Sequence, residues 1–391
     1  MAQKFSEIKQ SNYWINKPVM KFTERHLTPS QRVSDEHMAK VGTENEVLPE
    51  GYKWNTVHLE SDELKNVCNF LNNFKYNLSL DKLRWIMRTG FFVTISDQNN
   101  SIIATVGTTP RNIQLTSQQY TVMEPLYMCC LDEYKQTGIP KVLINELTRL
   151  SVLSNINKGV FLNNRIVSKP IATIRQYARP INYIKLRQHN FIDIIERDET
   201  VVQSKLNIHL KPNKKYIYAE PTEENVNIVY GLYTTYMSSF NVHMILTREE
   251  IKHYLFNVDY VKTYLVYNDE NKPIDFISYS FYDIPTETTD MIRTANILMY
   301  SSNNIIAELL FINILKQLSF DGIDIVYIND MMNNNEFILS NVKGANNDTD
   351  DEEETSIYDL NIIKTNKKYF MTLYNINSQT YTQNMVSWFI F

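Results

Sequence analysis

The sequence predicts a mixed α/β fold in two packed domains, and three observations carry that expectation. Its 391 residues exceed what one ordinary core holds and suit two of roughly 150–200 residues. Hydrophobic residues make up 43%, the level of a globular rather than a disordered chain. Strand and helix patterns alternate in both halves in a similar order.

Residues 1–47 read as an extended arm of poor periodicity, with Tyr13 and Trp14 as an aromatic anchor. An α/β unit follows over 48–210. In it Ser101-Ile-Ile-Ala-Thr-Val-Gly107 reads as a strand, and a second strand runs into Glu124-Pro-Leu-Tyr-Met-Cys-Cys130. Lys135-Gln-Thr-Gly-Ile-Pro140 forms a turn before an amphipathic helix. Val142, Leu143, Leu147 and Leu150 make the apolar face of that helix, with Asn145, Glu146 and Arg149 polar. A strand that ends before a loop and a helix start gathers free backbone N–H groups. Such a spot suits a phosphate or a developing oxyanion. The alternatives are a surface turn with one glycine at 135–140 and an ordinary buried strand at 126–130.

Lys211-Pro-Asn-Lys-Lys215 reads as the junction to a second unit over 211–391. There, 223–240 and 247–256 read as helices. Strands at 263–267 and 274–280 are joined through Asp269-Glu-Asn-Lys272, a hairpin signal. Residues 305–318 read as a helix and 323–328 as a short buried strand. Asp330 stands after that strand and before a helix, where a helix N-cap is one reading. The acidic run Asp348-Thr-Asp-Asp-Glu-Glu-Glu354 reads as a solvated loop over 345–356. The end, Val386-Ser-Trp-Phe-Ile-Phe391, is apolar and strand-like, and burial is expected.

Composition excludes several classes. No run of about 18 apolar residues is present, so no membrane span is expected. Met-Ala-Gln-Lys-Phe-Ser-Glu7 lacks an apolar signal core, which points to the cytoplasm. Cys68, Cys129 and Cys130 are an odd set, two of them adjacent on a strand and facing opposite sides. Disulfides are not expected. No Cys/His spacing suggests a metal site. The net charge of −5 speaks against nucleic acid. The bias toward Asn, Ile, Lys and Tyr, with 9 Gly, is that of an AT-rich coding genome such as a parasite's or a large DNA virus's.

Eight blocks, in order, carry a resemblance. They are Asn12-Tyr-Trp-Ile-Asn-Lys-Pro-Val19, Leu48-Pro-Glu-Gly-Tyr-Lys-Trp54, Ser79-Leu-Asp-Lys-Leu-Arg-Trp85 and Lys141-Val-Leu-Ile-Asn-Glu-Leu-Thr-Arg149 in the first part. Ser168-Lys-Pro-Ile-Ala-Thr-Ile-Arg175, Asp275-Phe-Ile-Ser-Tyr-Ser-Phe-Tyr-Asp-Ile-Pro285, Asp324-Ile-Val-Tyr-Ile-Asn-Asp-Met-Met332 and Leu373-Tyr-Asn375 follow. With Lys135–Pro140, which resembles the pyrophosphate loop of GNAT acyl-CoA transferases, they resemble the protein N-myristoyltransferases from about Asn12 to Phe391. The resemblance implies two tandem GNAT-like halves, each a mostly antiparallel mixed sheet flanked by helices. The arm would lie over the CoA, the first half would hold the acyl-CoA, and the second would shape a peptide groove.

It also implies the chemistry. The N-terminal glycine amine of a protein substrate attacks the thioester of myristoyl-CoA, a co-substrate, with no tightly bound cofactor. Backbone N–H groups at Tyr127 and Met128 would form the oxyanion hole. The base would be a C-terminal carboxylate, placed on Phe391, whose burial would raise a poor basicity toward usefulness. The family's CoA contacts fall on Tyr13, Trp14, Tyr127, Met128, Cys129, Cys130, Lys135, Gln136, Thr137, Gly138, Ile139, Pro140, Lys141 and Thr148. A packing anchor is the alternative for Tyr13 and Trp14, and an ordinary last strand the alternative for the tail. The peptide contacts fall on Leu162, Asn163, Asn164, Asp330 and Ile390, with Asp330 attracting a basic residue. Substrates would start with glycine, carry Ser at the sixth position and basic residues beyond. A monomer is expected.

The chain departs from the family at several of these places. One cation, Lys135, remains in the phosphate loop. Leu126 and Leu162 replace an Asn and a Thr that help hold the amine. Tyr177-Ala-Arg-Pro-Ile-Asn182 lacks the family's His, and Lys364-Thr-Asn-Lys-Lys368 replaces a Gly-rich turn. The lid between Phe74 and Ser79 is short, which implies a more open groove. Two other readings stay open: a GNAT transferase with another acyl chain, and a catalytically weak acyl-CoA or lipidated-peptide binding protein.

Overall fold

The computed structural model describes residues 12–24, 44–192, 200, 202–204, 216–341 and 360–391. The rest of the arm, the expected junction at 211–215 and the acidic loop at 345–356 lie outside the described residues. By its packing the chain forms two compact units, 1–173 with 369–381, and 174–368 with 382–391. The division falls after Thr173, inside a strand. A packing boundary follows long-range contacts, which composition does not report.

The first unit starts with one helical turn, α1 (Asn12–Ile15). Its sheet joins β1 (Lys53–His58), β2 (Phe91–Ser96), β3 (Ile102–Leu115) and β4 (Gln118–Cys130), all antiparallel neighbours. Between β1 and β2 lie α2 (Leu64–Asn72) and α3 (Leu80–Met87). Ser79 caps α3, its hydroxyl accepting from the Lys82 N–H at 3.1 Å. After β4 comes α4 (Ile139–Leu153), whose Leu143 and Leu147 pack on Val93, Ile95, Ile103 and Val106. Each such side chain contributes about 1.5–3 kcal/mol on burial. The polar face expected on α4 differs in one respect: Glu146 and Arg149 are buried. They satisfy each other, Arg149 donating to both carboxylate oxygens at 2.8 and 2.7 Å. Next is β5 (Gly159–Asn163), parallel to β4 and registered with it at Met123 and Gly159. Its other edge pairs antiparallel with the end of β13 (Ile363–Tyr374).

The β3–β4 hairpin is held from inside by Arg111 and Glu124, both buried, with Nε–Oε2 at 2.9 Å. Arg111→Met leaves a buried carboxylate without its cation. The expected loss is about 3–5 kcal/mol, read as a lower urea midpoint at unchanged denaturant slope.

The second unit begins on β6 (Ala172–Pro180) and α5 (Tyr183–Gln188). Then come β7 (Ile217–Ala219), α6 (Val226–Met237), β8 (Val242–Met244) and α7 (Arg248–Leu255). The strands β9 (Val261–Tyr267), β10 (Pro273–Pro285) and β11 (Met291–Tyr300) form a meander, followed by α8 (Ala307–Phe320), β12 (Ile325–Asn329) and α9 (Asn334–Asn341). The order β6-β12-β11-β10-β9-β7 is antiparallel except at β11–β12. The mixed, mostly antiparallel sheet flanked by helices is therefore as expected. The expected hairpin at 269–272 is present, with Asn271 in the left-handed region (φ 58°), which Asn tolerates. Helix α7 carries a capping box: Glu250 N–H donates to the Thr247 hydroxyl at 3.2 Å and Thr247 N–H to the Glu250 carboxylate at 2.9 Å. Helix α8 buries Leu310, Phe311, Ile314, Leu315 and Leu318, one face at a period of 3.6.

The C-terminal tail corrects one expectation. Only β14 (Val386–Ser387) is strand, parallel to β8. Trp388 and Phe389 are buried, whereas Ile390 and Phe391 are half-buried. The Phe389 and Phe391 rings both lean on Tyr254, at 5.6 and 5.8 Å between centroids, which leaves an outer side on the last ring.

Candidate active site

The site is built on an irregularity in β4. Leu126 faces Gly107 and Cys129 faces Thr105, so Tyr127 and Met128 together oppose Val106. Two residues against one is a β-bulge. Tyr127 has φ 53°, a left-handed conformation that glycine usually supplies in a bulge. A bulky residue there costs on the order of 1–3 kcal/mol, and such strain clusters at functional sites. Tyr127 is half-buried and Met128 is 42% exposed. The neighbouring cysteines take opposite sides. Cys130 joins the core beneath α4, and burial pushes the Cys129 thiol up to about 11.

Beyond the Met123–Gly159 register, β4 and β5 line a cavity of about 460 Å³ instead of pairing. The cavity brings together seven of the expected residues: Trp14, Tyr127, Met128, Thr148, Leu162, Asn163 and Asn164. Ile144, Leu147 and Val152 of α4 add apolar wall. The Trp14 ring stacks on Phe161 at 5.6 Å, which holds the arm at the cavity. Leu126 and Leu162 both line it, so the two places where the resemblance implies polar residues are apolar wall here.

The turn at 135–140 leads into α4 as expected. Gly138 takes φ 92° at the N-cap position, Ile139 starts the helix, and Pro140 sits in its first turn. Lys135 is ion-paired with Asp132. None of 135–141 lines the cavity, nor do Tyr13, Cys129 and Cys130. Tyr13 instead donates to the Asn145 side chain of α4 at 2.8 Å.

Three residues that lacked a role in the sequence reading shape the site. Tyr369, Tyr374 and Tyr76 line the cavity. Tyr374 is hydrogen-bonded to Thr148, and burial pushes its hydroxyl up to about 12. Asn375 beside it has φ 56°; its N–H donates to the Pro18 carbonyl at 2.7 Å and its side chain to the Asn157 carbonyl at 3.0 Å. The Leu373-Tyr-Asn375 block thus places one side chain, that of Tyr374, in the cavity wall.

Asp330, Ile390 and Phe391 belong to the second unit. Asp330 does not cap a helix: α9 starts at Asn334. Its buried carboxylate accepts from the Arg175 N–H at 2.7 Å and faces the Arg175 guanidinium at 3.6 Å. Burial outweighs these bonds and pushes the carboxyl up to about 6. The folded value lies above the unfolded one, so this group's stability is present below about pH 4 and lost as pH rises through about 6. Relative to Asp330→Asn, the wild-type urea midpoint is expected to fall between those limits; a pH-independent difference contradicts it. Among the described residues no group of three His, Cys, Asp or Glu is placed to hold a metal. No described helix is long and apolar enough to cross a membrane.

Two family models match, those of the N-terminal domain (residues 33–174) and the C-terminal domain (residues 193–350) of myristoyl-CoA:protein N-myristoyltransferase. A glycylpeptide N-tetradecanoyltransferase of Emericella nidulans is 25% identical over 323 residues, covering 74% of this chain and 64% of that one. A probable glycylpeptide N-tetradecanoyltransferase of Caenorhabditis elegans is 24% identical over 365 residues, 87% of this chain and 80% of that one. The chain thus spans less than two thirds of the length of some relatives, 64% and 62% for those of Emericella nidulans and Bos taurus. The fold matches that of the Saccharomyces cerevisiae N-myristoyltransferase with bound myristoyl-CoA, at TM-score 0.80 and 16% identity over 96% of this chain and 94% of that one.

Proposed function

The chain belongs to the myristoyl-CoA:protein N-myristoyltransferase family, and from that membership we propose that it transfers myristate from myristoyl-CoA to the N-terminal glycine amine of protein substrates. The observation that carries the reading is the Tyr127–Met128 bulge, placed on a cavity between β4 and β5. A bulge leaves its extra residue outside the ladder, which frees backbone donors for a ligand. In the proposed reaction the amine nitrogen attacks the thioester carbonyl. The C–N bond forms, the negative oxygen is held by the Tyr127 and Met128 N–H groups, and the C–S bond breaks to release CoA. One amine proton passes to the base, which the resemblance places on the α-carboxylate of Phe391.

The acyl chain would lie in the cavity, where each buried methylene contributes up to about 0.8 kcal/mol. Trp14, Thr148 and the amides at the start of α4 would hold the CoA side. With Lys135 engaged by Asp132, the pyrophosphate would depend on those amides more than on cations. Asn163 and Asn164, two of the polar side chains that line the cavity, would serve the amine in place of the family's pair.

Leu126 and Leu162 in the cavity wall favour a second reading, a weakly catalytic acyl-CoA-binding protein. Competition separates the possibilities. CoA release is measured with a Gly-starting and an Ala-starting peptide, with acetyl-, decanoyl- and myristoyl-CoA as donors. The proposal expects release with myristoyl-CoA and the Gly peptide alone. Equal use of short donors overturns the chain length, and tight binding without release overturns the enzyme reading.

A further inference from the structure

We propose that Tyr76 is a positioning residue of this site, a fixed ring closed over the Tyr127 bulge that keeps water from the thioester; the proposal rests on the transfer reading above. The short segment between α2 and α3 is a pinned turn. Lys75 (φ 64°) and Asn77 (φ 51°) flank Tyr76, both in the left-handed region. Such residues persist only where the surroundings over-determine them. Here the Asn72 side chain does so, accepting from the Leu78 N–H at 2.7 Å and donating to the Leu78 carbonyl at 2.9 Å. The Lys75 N–H adds a bond to the Asn72 carbonyl at 3.0 Å.

The turn aims one ring. Tyr76 meets Tyr127 edge-on, with centroids 5.2 Å apart and planes at 87°. Its hydroxyl is hydrogen-bonded to Cys129, one residue past the bulge. Tyr76 and Tyr127 both line the cavity, yet Tyr76 stays 43% exposed, so core packing does not account for its placement. A thioester held beside oxyanion donors is open to water as well as to an amine. Attack by water would break the same C–S bond and release myristate and CoA, an outcome that a covering ring suppresses.

The test uses the full chain with Tyr76→Ala, Tyr76→Phe and Asn72→Ala. Five quantities are read: myristoyl-CoA dissociation rate, CoA release without peptide, the ratio of free myristate to myristoyl-peptide, and kcat and KM for a Gly-starting peptide. Tyr76→Ala is expected to raise the ratio of free myristate to myristoyl-peptide by about tenfold or more, on the scale of positional losses. The effect falls on kcat rather than on peptide KM. Tyr76→Phe keeps the ring and stays close to wild type, and Asn72→Ala, which frees the turn, moves toward the alanine variant. If wild type transfers and Tyr76→Ala matches it in ratio and dissociation rate, the Tyr76 proposal is overturned while the transfer reading stands. If wild type binds myristoyl-CoA without transfer, that reading fails, and Tyr76 is then judged on peptide-free CoA release and dissociation: an unchanged alanine variant overturns it. A wild type that binds no myristoyl-CoA overturns both.

Discussion

Met128→Pro is expected to lower kcat by about 10²–10³-fold, the cost of one oxyanion donor. Proline removes the N–H at position 128 and nothing else that the chemistry uses. The Met128 side chain is 42% exposed, so its loss alone does little to the core. Met128→Ala keeps the N–H and is expected to stay near wild type, which separates backbone from side chain. Proline also restricts the residue before it, and Tyr127 already holds an unusual backbone at φ 53°. Myristoyl-CoA affinity and the thermal midpoint are therefore measured beside kcat. A proline variant that binds and folds normally yet turns over at the wild-type rate removes the oxyanion assignment.

The second large effect concerns Phe391. A positioned base is worth about 10²–10⁴ in rate, and the proposed one is the α-carboxylate of Phe391. Deleting Phe391 shortens the tail by about 3.3 Å and also strips a ring from Tyr254, so a fall in kcat has two explanations. A chain amidated at Phe391 by ligation keeps the ring and loses only the charge. Both variants are expected to lose activity alike, with myristoyl-CoA binding unchanged. An amidated chain of wild-type kcat assigns the proton to another group.

Local pattern carried much of the fold. The apolar spacing of Leu143, Leu147 and Leu150 marked α4, and Asp269-Glu-Asn-Lys272 marked the β9–β10 hairpin. These signals are short-range, set by the helix and strand periods. What stayed hidden depends on partners far along the chain. The bulge at Tyr127 exists only as a register against β3. Tyr369 and Tyr374 reach the cavity on β13, a strand that pairs with β5 from far along the chain. The buried Glu146–Arg149 pair reads as a solvated face until its geometry is seen. Strand β8, Val242–Met244, is too short to leave a period. Of the expected site residues, Trp14, Tyr127, Met128, Thr148, Leu162, Asn163 and Asn164 converge on the cavity. Residues 135–141 stay outside its lining, at the turn and the first residues of α4.

The most direct test of the central claim is intact-mass analysis of a Gly-starting peptide after a single turnover with stoichiometric myristoyl-CoA. The account predicts a gain of one myristoyl group on the peptide, matched by one CoA released, and none on the Ala-starting control. Tight myristoyl-CoA binding with an unchanged peptide mass would contradict it and leave an acyl-CoA-binding protein on a transferase fold.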